Sequence, residues 1–260
     1  MRFVGLTCHY GLRPVLSDLD LDIHAGQVTA VMAPNGVGKS TLLNAAAGLV
    51  PSWRGFVEIE GHRRRDTEES ELACRRASVH LAANPWLPQQ LTPREWIVTC
   101  GRLWEVDDRR LLPHTASLLD LFDLDDGEKS IRSCSTGQKH KVALAGALVT
   151  ETPILLLDEP FGGGLDPSGI LVLKRLLADA AHAKGRCVLL ASPVPETLED
   201  LADRVVVLAK GTDDAVEIVG DGTPAQLREQ TESTSLAEAY EALVRPDTAA
   251  KLDAYLEASP

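Results

Sequence analysis

Three separated segments carry residue types and spacings suited to chemistry on a polyphosphate. The first is Ala33-Pro34-Asn35-Gly36-Val37-Gly38-Lys39-Ser40-Thr41. Triphosphate oxygens need many hydrogen-bond donors at close range. Glycines let successive backbone N–H groups turn inward, and a following helix adds its N-terminal dipole. Asn35, Gly36, Val37, Gly38, Lys39, Ser40 and Thr41 are therefore candidate nucleotide-binding residues. In this pattern the lysine reaches the β- and γ-phosphates and Ser40 holds Mg²⁺. The second segment, Ile154-Leu155-Leu156-Leu157-Asp158-Glu159-Pro160, is an apolar run ending in two carboxylates. Asp158 is placed to bind Mg²⁺, and Glu159 to orient or deprotonate the attacking water. The third, Ser133-Cys134-Ser135-Thr136-Gly137-Gln138, reads as the opening of a helix that contacts nucleotide, or as an ordinary helix cap.

These residues need elements to hold them. Val28-Thr29-Ala30-Val31-Met32 is a short apolar run, read as a buried strand that leads into the glycine turn. A helical pattern follows from Ser40. The runs 154–157 and 187–190 flank a helical pattern over 168–183, which makes a βαβ unit. Residues 204–208 add a strand. Together they predict an α/β fold with a mainly parallel core sheet and helices on both faces. Residues 3–7, 19–23 and 56–59 read as a smaller antiparallel sheet. A helical lobe is expected over about 88–150, broken by turns near Pro113 and Gly127. The tail from Thr223 reads as helical and polar. Its acidic residues alternate with Leu236, Leu243 and Leu252.

Composition narrows the class. The chain has 260 residues, 44% of them apolar, enough for one large domain. No apolar run approaches the roughly 20 residues of a membrane helix, so a soluble chain is expected. Net charge is −12, which disfavours nucleic acid as a partner. The basic cluster His62-Arg63-Arg64-Arg65 precedes several acids and reads as a solvated loop. Cys8, Cys74, Cys100, Cys134 and Cys187 form no C-x-x-C pair, so free thiols are expected. Trp53, Trp86, Trp96 and Trp104 read as core or partner-surface residues.

With all three motifs in this order, residues 1–227 resemble the ABC ATPases, the nucleotide-binding subunits of ABC transporters, followed by a helical extension over 228–260. The resemblance implies the P-loop NTPase fold of ABC type, ATP and Mg²⁺ as cofactors, and a head-to-tail dimer of nucleotide-binding domains, identical or different. In such a dimer Ser135, Thr136, Gly137 and Gln138 of one domain cover the ATP held by the other. It implies that Tyr10 stacks on adenine, that Asp166 lies in the loop linking the two sites, and that Glu159 is the catalytic base. The permease partner would place the chain at the cytoplasmic face of the membrane, and Thr136 looks exporter-like.

Several positions depart from the family pattern. Ala33 replaces the first glycine, which strains the turn only if its φ is positive. Gly146 replaces a common arginine. The segment 159–166 carries one extra residue, and the triple glycine 162–164 offers slack for it. Pro193 stands where a histidine usually contacts the γ-phosphate, and His182 comes too early to replace it simply. Ala83 stands at the usual glutamine ahead of the helical lobe, with Asn84, Gln89 and Gln90 nearby. These departures leave three readings: a transporter ATPase, a weakly or non-hydrolysing regulatory subunit, and a soluble non-transport ABC ATPase.

Overall fold

A computed structural model describes residues 1–10, 13–124, 129–211 and 215–245. The strands are β1 (Arg2–Tyr10), β2 (Arg13–Asp22), β3 (Val28–Met32), β4 (Arg54–Ile59), β5 (His62–Arg63), β6 (Ser78–Leu81), β7 (Ile154–Asp158), β8 (Cys187–Ala191), β9 (Arg204–Lys210) and β10 (Val216–Gly222). The helices are α1 (Lys39–Ala46), α2 (Glu68–Ala77), α3 (Pro93–Leu103), α4 (Asp108–Leu121), α5 (Thr136–Leu148), α6 (Pro167–Ala178), α7 (Pro195–Leu198), α8 (Pro224–Gln230) and α9 (Leu236–Val244).

The core sheet runs β10-β9-β3-β8-β7-β6 and is parallel except for the edge pair β10–β9. Every residue of β3, β7 and β8 is buried, as expected for parallel strands covered on both faces. Alternate residues serve opposite cores. Leu155 and Leu157 face the cluster shared with α3, α4 and α5. Ile154 and Leu156 face the cluster shared with α1 and the second sheet. That second sheet, β2-β1-β4-β5, is antiparallel throughout. The expected α/β class, the small antiparallel unit and the helical segments of the lobe are all present.

Some expectations need correction. Pro113 makes no turn; it lies inside α4, whose N-cap Asp107 accepts a hydrogen bond from Arg109 N. Gly127 lies outside the described residues. The basic cluster is not a solvated loop: His62 and Arg63 form β5, and Arg64 is 8% exposed. Its guanidinium donates to Ala46 O at 2.8 Å and Ser78 Oγ at 2.8 Å and pairs with Glu71 at 3.2 Å, which ties α1, α2 and β6 together. The helical pattern over 168–183 is α6 continued by a π-helical turn at Asp179–Ala183. No cysteine among the described residues is in a disulfide.

Candidate functional site

The strand β3 and helix α1 hold the phosphate loop between them. Gly38 sits at the α1 N-cap with φ 123°, and a β-carbon there would lie 3.0 Å from Leu16 Cδ2. Only glycine therefore closes this turn without strain. Ala33 is buried at 1% exposure and is not among the residues with positive φ, so its methyl group packs without strain. Lys39 Nζ donates to Ala33 O at 2.7 Å and reaches Pro34 O at 3.4 Å. Burial lowers the Lys39 pKa, while the carboxylates of Glu159 and Asp158 pull it back up. A buried ammonium aimed along the loop is suited to receive phosphate charge. Asn35, Gly36, Gly38, Lys39, Ser40, Thr41, Val15 and Glu159 line one cleft of about 260 Å³. Val37 is buried beneath the loop.

The carboxylates stand at the C-terminal edge of the core sheet, where open α/β sheets bind ligands. Asp158 closes β7 and is 4% exposed, and its Oδ1 is buried without a protein partner. A buried unpartnered carboxylate oxygen is costly alone, so it marks a place for an added donor or cation. Glu159 leaves the strand in a left-handed conformation, φ 50°, and its N–H donates to Ala191 O of β8 at 2.9 Å. Such a backbone costs on the order of 1–3 kcal/mol and holds only where its surroundings fix it.

Ser135 caps α5. Its hydroxyl accepts from Gln138 N at 3.2 Å, and Gln138 Oε1 accepts from Ser135 N at 2.9 Å. The ordinary-cap reading of this segment is thus met, and the cap fixes the N-terminus of α5. Ser135, Thr136, Gly137 and Gln138 do not line the cleft of Lys39 and Glu159. Asp166 caps α6, accepting from Gly169 N at 3.0 Å, and pairs with Lys141 at 3.1 Å. Tyr10 ends β1; its side chain lies outside what is described.

Among the described residues, none of Ala83, Asn84, Gln89, Gln90, His182 and Pro193 lines the cleft. Pro193 is exposed beyond β8. His182 bonds Asp203 at 2.8 Å, and Asp203 in turn accepts from Val28 N at the opposite, N-terminal end of β3. His182 therefore does not replace the missing histidine. Gln89 folds onto its own loop, donating to Leu87 O at 2.8 Å, and neither Gln89 nor Gln90 lines the cleft.

A second concavity carries no motif. Two adjoining apolar hollows, about 850 and 330 Å³, share Leu103, Trp104 and His80. Leu49, Leu72, Trp86 and Leu103 are exposed along them, Trp86 at 79%. Gly146 lies in the smaller hollow, where a β-carbon would meet Trp96 Nε1 at 3.1 Å. Sequence reading named Trp86 as a core or partner-surface residue; it missed Leu49, Leu72 and Leu103, which join only once α1, α2 and α3 converge.

Residues 16–162 match the profile of the family described as ABC transporter. The daunorubicin resistance ATP-binding protein DrrA3 of Streptomyces coeruleorubidus is 33% identical over 228 residues, covering 87% of this chain and 69% of that one. The hemin import ATP-binding protein HmuV of Streptomyces coelicolor is 34% identical, covering 86% and 78%. A solved structure of the ATP-binding subunit of an ABC transporter superposes with TM-score 0.83 at 28% identity, over 93% of this chain and 98% of that one. A dimeric structure of a bacterial ABC transporter cassette gives TM-score 0.69 at 25% identity, over 79% and 93%.

Proposed function

The chain belongs to the ABC transporter family as an ATP-binding, ATP-hydrolysing subunit, and from that premise we propose that it drives export through a membrane permease as half of a head-to-tail dimer. One observation carries the dimer. The cleft holds Lys39, Ser40 and Glu159 on its walls but none of residues 135–138. On this reading the capped N-terminus of α5 reaches a nucleotide bound there from a second domain. The dimeric cassette among the structural relatives supports the same arrangement. Outward transport is supported by Thr136 and by the resistance protein among the relatives.

Within this reading each side chain has a role. Backbone N–H groups of residues 35–41 and the Lys39 ammonium hold the triphosphate. The Ser40 hydroxyl and the unpartnered Asp158 Oδ1 form an oxygen donor set that fits Mg²⁺, a hard cation. A cation held by Ser40 and Asp158 would supply neutralisation of the phosphate charge. Glu159 orients the attacking water and takes its proton. With Pro193 and Ala83 in place of a histidine and a glutamine, turnover is slow but not abolished. The soluble non-transport reading is not favoured, because the relatives are named for resistance and import. The permease seats a cytoplasmic segment in the apolar groove of Trp86 and Leu103.

The test is Mg-ATP turnover by the purified chain over a protein-concentration series, beside Glu159→Gln. Specific activity should rise with concentration and fall in the variant by roughly 10²-fold or more, with nucleotide binding retained. Concentration-independent turnover would refute the dimer, and a fully active variant would refute the base. Leu103→Glu should keep this turnover and lose co-purification with the permease; retained co-purification would move the docking site elsewhere.

A further inference from the structure

The loop between the catalytic carboxylate and α6 is held by the helix whose N-terminus carries Ser135. His140, in the second turn of α5, is 4% exposed, and its Nε2 lies 2.8 Å from the carbonyl oxygen of Pro160, directly after Glu159. A carbonyl cannot donate, so Nε2 carries the proton. The ring lies against Gly163, where φ is 66° and a β-carbon would sit 2.4 Å from His140 Cγ. At Gly137 a β-carbon would sit 2.6 Å from Gly164 O. Lys141, which follows His140, pairs with Asp166 at 3.1 Å. Gly162 N donates to Glu159 O at 2.9 Å and closes the near end. The triple glycine is therefore not slack that absorbs an extra residue. It permits close packing, and α5 grips both ends of the segment 160–166.

We propose that His140 is a positioning residue, which couples the first turn of α5 to Glu159 by clasping the loop 160–164. The inference rests on the reading of Glu159 as base and of the α5 N-terminus as the contact to the partner domain's nucleotide. When that nucleotide engages Ser135 and Gly137, any displacement of the α5 N-terminus is passed through the imidazole to the Pro160 carbonyl, one residue from the carboxylate. Glu159 already holds a left-handed backbone that its surroundings must fix. The clasp supplies a donor on one side; Ala191 O accepts from Glu159 N on the other. His140 thereby acts on the rate of the chemical step rather than on nucleotide affinity.

The test compares His140→Leu, which removes the donor, with His140→Gln, which offers an amide donor. The Leu variant should lose roughly tenfold in kcat with KM for ATP within twofold, and the Gln variant should recover most of the loss. A loss confined to KM, an unchanged kcat, or a Gln variant no better than Leu would overturn the proposal. Amide deuterium exchange on the nucleotide-loaded chain gives a readout independent of turnover. Exchange at 161–164 should speed up roughly tenfold in the Leu variant while the strands stay protected. Unchanged exchange there would overturn the clasp even if Glu159 proved to be the base. An inactive Glu159→Gln beside faster exchange would support both, and a fully active Glu159→Gln would remove the catalytic role of the clasp. Should the Leu variant not fold, His140→Gln against the shorter His140→Asn makes the same comparison by reach: equal kcat would overturn the proposal, and a faster Gln variant would support it.

Discussion

At the residue scale, on the proposed function Pro193 in Ser192-Pro193-Val194 alters the site without disturbing its frame. Ser192 is buried and its hydroxyl accepts from Val194 N at 3.2 Å, so the turn after β8 is well formed. What is missing is a donor, since proline has neither a polar side chain nor an N–H. Restoring one preorganised donor is worth up to about 10²–10³ in rate. Pro193→His should raise kcat by roughly tenfold or more, measured in the same turnover assay, with a smaller change in KM. Equal turnover would mean that this position does not limit the reaction. The placement of Lys39, Ser40, Asp158 and Glu159 at the end of strands and the start of a helix was legible because local spacing alone sets it. Arg64 was not: Arg63 and Arg65 beside it are chemically alike, and only the approach of α2 and β6 buries one of the three.

At the element scale, helix ends do more than terminate helices. Asp166 caps α6, and the hydrogen bond from Lys141, followed by that from Gly169 N, holds its carboxyl below the ordinary value of 3.8. A depressed folded pKa stabilises the fold at pH above the unfolded value, and that contribution is lost as pH falls through the folded one. Asp166→Asn should therefore be less stable than the parent at pH 7, and the gap should close on acidification below about pH 3.8. Urea midpoints over a pH series measure it, and a gap independent of pH would count against the pairing. Apolar runs revealed β3, β7, β8 and β9 because strands buried on both faces need no other signal. Edge strands β6 and β10 escaped notice: β6 is four residues long with Ser78 and His80 among them, and in β10 the exposed Glu217 and Asp221 break up the apolar pattern. Pro113 misled for a related reason: packing of Leu111, Leu118 and Leu119 overrides the local preference for a break.

At the scale of the whole molecule, the thiols report on assembly. Burial pushes the Cys100 thiol up to about 12 and Cys187 up to about 11, and raises Cys8 and Cys74 as well. Cys134, half-buried beside Ser135, is the accessible thiol among the five. Iodoacetamide should label Cys134 first, and ATP should slow that labelling roughly tenfold in Glu159→Gln, where the closed dimer accumulates. Labelling that ignores ATP would exclude closure over this segment. The order of the core sheet has a further consequence. The strand that delivers the phosphate loop, β3, lies between β8 and β9, and Val28 bonds to Asp203 across 175 residues of chain. During synthesis the loop leaves the ribosome roughly 150 residues ahead of its flanking strands β8 and β9. At about 5–20 residues per second the nascent chain spends several seconds or more without a formed nucleotide pocket. Cellular ATP therefore cannot guide its early collapse, and a truncation ahead of β8 leaves every residue of the phosphate loop in place with no frame to hold it.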